Sequence, residues 1–185
     1  MSAEVENLQE PRPAAGSGSG EIFVRRRKLS RAMAMQHLYA CDVTECWEAP
    51  PEDAKAEYLE LAKALALDEE YGYSPSLEDV REAWKYAMKL VNGVLECRDE
   101  LDELISGAAI NWKISRMGSI DRAILRIALY EMLKVEKVKP ATAIDEAVEL
   151  AKTYGQGDSP RFVNGILDKI RRTRCNSADE ARKQE

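Results

Sequence analysis

Five cations lie close together near the start of the chain, and residues 25–41 contain no acid. They are Arg25, Arg26, Arg27, Lys28 and Arg31. Such a cluster can neutralise the phosphates of a polyanion. If the first helix begins at this run, its positive dipole end disfavours the cations, and an anionic ligand would relieve that repulsion. A solvated charge run explains the residues equally well.

A second candidate site is the polar segment from Tyr154 to Phe162, which reads YGQGDSPRF. It carries an aromatic residue at each end, with Arg161 between them. Unpaired RNA is commonly held by bases that stack on Tyr or Phe and by guanidinium contacts. A helix–helix connection with capping residues accounts for the same composition, and the two interpretations have equal weight.

The chain carries no catalytic signature. A Walker loop, a dinucleotide-binding glycine fingerprint and a nucleophile elbow are all absent. The cysteines Cys41, Cys46, Cys97 and Cys175 form no CxxC pair, and His37 is the only histidine. We therefore expect reduced thiols, no zinc site, no cofactor and no enzymatic activity.

The net charge of −6 conceals a segregation of charge along the chain. Residues 42–103 hold eighteen acids and six bases, whereas residues 104–185 hold fifteen bases and eleven acids. An acidic protein can therefore still present a basic face to a polyanion. Because no apolar run approaches the length of a membrane span and no signal-peptide pattern is present, we expect a cytoplasmic protein without a membrane partner.

The segment 119–134, SIDRAILRIALYEMLK, is the helix around which we expect the other helices to pack. Apolar residues cover more than half of its circumference, which is typical of a buried helix. Asp121 suits the positive end of the helix dipole, and Ser119 is the predicted N-cap.

Apolar stripes at three- and four-residue spacing predict helices on both sides of this central helix, and no strand-like alternation occurs. We predict a single all-α domain of about seven helices in two small bundles. The predicted helices cover residues 25–41, 52–67, 77–105 with a bend near Asn92-Gly93, a short turn within 110–117 anchored by Trp112, 119–134, a helix from Pro140 to a C-cap at Gly155, and a last helix after an N-cap at Ser159. Ser76 and Asp79 form a weak capping box at the start of the long third helix.

Both ends of the chain are predicted to lie outside the folded domain. Residues 1–22 include GSGSG and almost no large apolar side chain, so we expect a disordered tail or linker. A natural tail and a cloning linker fit equally well. The helical domain is predicted to span residues 23–172, and residues 173–185 to form a polar C-terminal tail.

Two sequence blocks are similar to one known family. The first is RRRKLSRAMAMQHLY, and the second is NWKISRMGSIDRAILRIALYEMLK followed by ATAIDEAVELAKTYGQGDSPRFVNGILDKI. The first resembles the arginine-rich first helix, and the second the C-terminal signature, of the NusB family of bacterial transcription antitermination factors. The resemblance covers residues 25–41 and 110–170, about half of the chain. Residues 42–109 match only in helical pattern, and the acidic part over residues 47–76 is longer than usual.

This resemblance implies an RNA-binding role without catalysis. The ligand would be boxA RNA of nascent ribosomal RNA leaders, bound jointly with the small-subunit ribosomal protein that acts as NusE. The pair would join RNA polymerase complexes and suppress termination. The RNA-contacting residues that the family pattern places on this chain are Arg25, Arg26, Arg27, Lys28, Arg31, Tyr154, Asp158 and Phe162.

Two other functions remain open from the sequence. A NusB-like RNA-binding domain of the kind fused to ribosomal RNA cytosine methyltransferases would require a large catalytic domain after residue 185. A purely structural helical module would have no affinity for RNA. Self-association also remains open, because some members of the resembled family dimerise.

Overall fold

The computed structural model describes residues 18–51, 75–109 and 112–182. Within these ranges every regular element is helical, and none of the helices is long and apolar enough to cross a membrane. The α-helices are α1 Ser19–Thr44, α2 Leu77–Ala108, α3 Ser119–Lys134, α4 Pro140–Tyr154 and α5 Ser159–Arg182, with a 3₁₀ turn over Ile114–Arg116. The all-α prediction is confirmed. The count of seven is not reproduced in these ranges, and the helix predicted over residues 52–67 lies outside them.

Helix α3 packs against each of the other four α-helices, as the prediction of a central helix requires. Ile124, Leu125 and Leu129 are fully buried, and Ile127 is 1% exposed. Burial of a large aliphatic side chain stabilises the fold by about 1.5–3 kcal/mol. The N-cap of α3 is Gly118, and Ser119 is its first helical residue. The N-cap predicted at Ser119 is therefore one residue too late.

Helix α1 begins earlier than predicted. It starts at Ser19 after an N-cap at Gly18, and Glu21 provides the acid of its first turn. The cationic run therefore lies in the second and third turns. Because the helix dipole acts mainly on the first turn, the expected repulsion at the helix start does not arise, and that prediction is wrong. At the other end of the chain, α5 continues to Arg182, past the predicted domain end at residue 172.

Helix α2 bends at a different residue from the one predicted. Its capping box is present, since Ser76 accepts from the backbone N–H of Asp79 and the Asp79 carboxylate accepts from that of Ser76. The non-helical residue is Cys97 rather than Asn92-Gly93. Gly93 instead permits close packing, because a Cβ there would lie 2.0 Å from the Tyr130 ring.

The connection between α4 and α5 depends on two glycines. Gly155 follows α4 with an extended backbone, and a Cβ on it would meet the Ala151 carbonyl oxygen and the Ser159 Cβ, both at 2.5 Å. Gly157 adopts φ +54°, in the left-handed region that glycine tolerates best. Pro140 opens α4 as predicted. The Ser159 hydroxyl donates to the Gln156 carbonyl at 2.8 Å and closes the turn.

Candidate nucleic-acid interface

The consecutive cations of α1 diverge into different surroundings. Neighbouring residues of an α-helix are about 100° apart, so four in a row cannot share one face. Arg25 and Lys28 line a groove of ≈ 260 Å³ between α1 and α4, the α1–α4 groove. Arg27 lines a larger groove of ≈ 1100 Å³ between α1, α2 and the connection from α3 to α4. We name it the Arg27 groove, and its lining includes Phe23, Arg27, Tyr86, Lys89, Lys137 and Lys139.

Arg26 is held by α2. Its Nε donates to Oδ1 of Asp79 at 2.7 Å, and Asp79 is only 7% exposed. The other carboxylate oxygen of Asp79 accepts from the backbone and hydroxyl of Ser76. Arg26 therefore joins α1 to the N-terminal cap of α2, and a phosphate would have to compete with this pair.

Arg31 is buried, with 5% of its surface exposed. Its Nε donates to Glu131 Oε2 at 2.8 Å and its Nη1 to Glu146 Oε2 at 3.0 Å. Burial by itself would lower the pKa of Arg31, but the hydrogen bond and charge of Glu131 and the charge of Glu146 raise it above its usual value. The guanidinium stays charged and joins α1, α3 and α4.

The buried carboxylate of Glu131 also positions Tyr86, and Tyr86 in turn contacts Arg27. The Tyr86 hydroxyl donates to Glu131 Oε1 at 2.6 Å. The pKa of that hydroxyl is raised, first by burial and then by its hydrogen bond to Glu131. The Arg27 guanidinium carbon lies 3.4 Å from the centroid of the Tyr86 ring, within the range of a cation–π contact.

The predicted loop site lies at the start of α5. Asp158 is exposed, whereas Tyr154 and Phe162 are half-buried and pack against the core. The Phe162 ring is 6.4 Å from that of Trp112, at an interplanar angle of 54°. Trp112 was predicted to anchor its segment, but it is 57% exposed, so that prediction is wrong. The rings of Trp112 and Phe162 therefore form a partly exposed pair rather than a buried one.

Helix α4 lies between the two parts of the predicted site, which are the cations of α1 and the loop before α5. It packs against both α1 and α5, and Glu149 lines the α1–α4 groove on one side and a groove with Pro160 and Arg161 on the other. Lys152 neutralises Glu149 at 2.6 Å. A strand that contacts both halves therefore has to cross this polar face of α4.

A second buried cluster, which the sequence analysis missed, joins the end of α1 to α2 and α3. Asp42 accepts from Arg122 and, at 3.0 Å, from Arg126. Arg126 also donates to both oxygens of Asp102, at 2.7 and 2.9 Å. Burial would raise the pKa of Asp42, but the hydrogen bonds from the two arginines lower it. These residues line neither of the two grooves, and their ion pairs hold α1, α2 and α3 together.

Most of the lining of the Arg27 groove was not predicted from the sequence. Phe23 stands 55% exposed one turn before Arg27. Lys89 comes from α2, and Lys137 and Lys139 come from the α3–α4 connection. The run KVEKVK over residues 134–139 was the available signal, because it concentrates lysines in a short connection.

The NusB family model matches residues 28–172. The chain belongs to the NusB family. The transcription antitermination protein NusB of Symbiobacterium thermophilum is 40% identical over 158 residues, which cover 84% of this chain and 96% of that protein. The solved NusB of T. maritima is 33% identical, with a TM-score of 0.56 over 79% of this chain and 89% of that one.

A further solved relative is a complex of the antitermination factors NusB and NusE with double-stranded RNA. Its matching chain is 27% identical, with a TM-score of 0.56 over 80% of this chain and 98% of that one. NusB antitermination factors are RNA-binding regulators without catalytic activity, so the prediction that this chain is not an enzyme is confirmed by its family. In the described ranges no group of three or more His, Cys, Asp or Glu residues could hold a metal ion.

Proposed function

We propose that this NusB-family antitermination factor binds boxA-type single-stranded RNA of ribosomal RNA leaders through the cations of α1. It does so together with the small-subunit ribosomal protein NusE, and the assembly joins RNA polymerase complexes and suppresses termination. One observation carries the proposal: Arg25, Arg27 and Lys28 lie half-buried along two open grooves on either side of the same helix. A strand that crosses α1 would contact all three, and each contact releases counterions.

The related NusB that was solved with NusE and double-stranded RNA supports both partners. The proposal for this chain specifies a single strand, because exposed aromatic side chains beside its cations, such as Phe23, stack on unpaired bases. Arg26 and Arg31 take supporting roles in the proposal, since the largely buried carboxylates of Asp79, Glu131 and Glu146 already hold them. Arg25 pairs with Glu21 at 2.5 Å, but Glu21 is 51% exposed, and an exposed pair of this kind is weak enough for a phosphate to replace.

The loop before α5 forms the second part of the proposal. The partly exposed rings of Tyr154 and Phe162 offer limited stacking area to a base. Asp158 carries an exposed carboxylate, which accepts hydrogen bonds and repels phosphates. Its contact is therefore with a base amino group or with a donor on NusE rather than with the RNA backbone.

A titration of a labelled single-stranded boxA RNA with this protein, in the presence and absence of NusE, tests the proposal. We expect binding that NusE strengthens and that falls with salt. A scrambled strand of the same composition is the control for sequence, and the duplex form of the boxA RNA is the control for strandedness. Equal affinity for the boxA and scrambled strands would remove the boxA assignment. Absence of binding to every RNA would remove the proposed function.

A further inference from the structure

The Arg27 groove is basic and open. Six of the cations of the protein line it, against the carboxylates of Glu136 and Glu146. Glu146 is already paired with Arg31 at 3.0 Å. The groove therefore has a surplus of positive charge that can attract an anion.

Arg27 is held at the α1 wall of this groove by two aromatic rings. Its guanidinium carbon lies 3.4 Å from the Tyr86 ring centroid and 4.9 Å from that of Phe23. Nη1 of Arg27 is buried and has no hydrogen-bond partner among the residues that the structure describes. An unsatisfied buried donor is unfavourable, so a rotation of the guanidinium that brings this nitrogen to an acceptor on a ligand would be favoured.

The Tyr86 ring that supports Arg27 is itself fixed from behind. Its hydroxyl donates to Glu131, which is 1% exposed and pairs with the buried Arg31. A guanidinium stacked on an immobilised ring loses little conformational freedom when it binds, and preorganisation of this kind favours affinity.

Three lysines complete the basic lining. Lys89 belongs to α2, and Lys137 and Lys139 belong to the α3–α4 connection. In the described part of the chain, no carboxylate lies within ion-pair distance of any of these three or of Arg27. Their charges are available to an anionic ligand.

We propose that the Arg27 groove holds one phosphodiester of the bound RNA on Arg27, with the adjoining base stacked on the exposed ring of Phe23. This rests on the proposed function, since it assigns a place to RNA that the protein binds. The ligand is a nucleotide unit rather than a simple anion, because the groove sets an aromatic face beside the guanidinium. Tyr86 is a positioning residue that acts through Arg27.

Two substitutions separate the phosphate contact from the stacking contact, in fluorescence anisotropy titrations of a labelled twelve-nucleotide boxA RNA over a range of salt. Arg27→Ala should weaken binding by about tenfold, as loss of a charged hydrogen bond does. It should also reduce the salt slope by about 0.7, the value for one phosphate of a single strand. Phe23→Ala should weaken binding by about tenfold through lost stacking and leave the slope unchanged.

Matched variants exclude effects of net charge. Arg27→Lys keeps the charge and loses the planar donor set, so it should weaken binding with little change of slope. Arg172→Ala removes an equal charge from α5, where the side chain is 73% exposed, and should change affinity by less than about twofold. Tyr86→Leu should weaken RNA binding when Arg27 is present. In a protein that already carries Arg27→Ala it should have no further effect, because the tyrosine acts through that arginine.

The outcomes distinguish this inference from the proposed function. If wild-type protein binds the RNA and Arg27→Ala and Phe23→Ala bind it equally well, the groove assignment is wrong while the proposed function stands. If wild-type protein binds no RNA, the proposed function fails first. If Arg27→Ala fails to fold, Phe23→Ala still tests the groove assignment. The Phe23 side chain is already 55% exposed, so its removal should leave the fold intact.

A photo-crosslink locates the base directly. A photoreactive phenylalanine analogue in place of Phe23 should crosslink to the RNA, whereas the same analogue in place of Val43, which is 58% exposed near the other end of α1, should not. Crosslinking of position 23 to NusE alone would mean that a protein occupies the groove and would overturn the inference.

Discussion

Arg31 donates to Glu131 across 2.8 Å, and the two side chains are 5% and 1% exposed. The pair joins the RNA-binding candidate helix α1 to the central helix α3. Glu131 also accepts from Tyr86 of α2, and Arg31 also donates to Glu146 of α4. One buried ion pair therefore connects four helices and sets the geometry beneath the Arg27 groove.

Removal of the Glu131 charge should destabilise the protein. Glu131→Leu leaves the Arg31 guanidinium buried with only Glu146 to neutralise it, and loss of one partner of a buried pair costs about 3–5 kcal/mol. Urea denaturation measures the free energy of unfolding. The control is Glu149→Leu, which breaks the exposed pair with Lys152 and should cost about 0–1 kcal/mol. Equal costs for the two variants would show that the buried network does not stabilise the fold.

Gly93 should resist substitution, whereas Gly165 should accept it. Gly93→Ala would place a Cβ 2.0 Å from Tyr130, and overpacking of this kind costs about 1–3 kcal/mol. Gly165 lies in α5 with nothing within 4 Å of an added Cβ, so Gly165→Ala should stabilise the helix by about 0.8–1.0 kcal/mol. Thermal melts of both variants check the contrast. Gly93→Ala should cost less in a Tyr130→Ala background than in the wild type, and an equal cost would mean that the clash lies elsewhere.

The free energy of unfolding should decrease as the pH is lowered through the range in which His37 titrates. Its ring nitrogen bonds to the Glu48 carbonyl at 2.9 Å, and burial lowers its pKa below the usual 6.5. The unfolded chain then binds the proton more tightly than the folded one. His37 therefore contributes stability that is fully present above about pH 6.5 and is lost as the pH falls through the lowered folded pKa.

Urea midpoints measured at closely spaced pH values below pH 6.5 check this contribution. Because the chain has one histidine, His37→Gln should remove the dependence in that window and leave the carboxylate titrations at lower pH intact. An unchanged profile in His37→Gln would contradict the assignment.

The double variant Arg25→Ala with Lys28→Ala should flatten the salt dependence of RNA binding. Both side chains line the α1–α4 groove, and loss of two phosphate contacts should reduce the slope by about 1.4 for a single strand. The loss of affinity should be similar for different sequences, because phosphates carry no sequence information. Anisotropy titrations over ionic strength provide the measurement. A slope equal to that of the wild type would show that these cations form a solvated surface.

The sequence by itself was sufficient for the all-α fold class and for the central position of α3. Apolar residues over more than half of the helix circumference predicted the central helix at 119–134. Three- and four-residue spacing predicted its neighbours, because a helix that buries one stripe must display it every turn. Local signals also predicted the capping box at Ser76, the start of α4 at Pro140 and its C-cap at Gly155. Each of these features depends on backbone geometry within a few residues. The family resemblance rested on the same local blocks.

The tertiary structure decided which of the cations could meet a ligand. Arg25, Arg26, Arg27, Lys28 and Arg31 look alike as a charged run. Their roles diverge because residues more than fifty positions away, such as Asp79 and Glu131, bind Arg26 and Arg31. Arg25 pairs with Glu21 on its own helix, and Arg27 and Lys28 have no ion-pair partner within the described ranges. Phe23, Tyr86 and Lys137 join Arg27 only where three chain segments converge. Periodicity within one helix carries no information about such contacts, because burial and charge pairing depend on the packing of the helices.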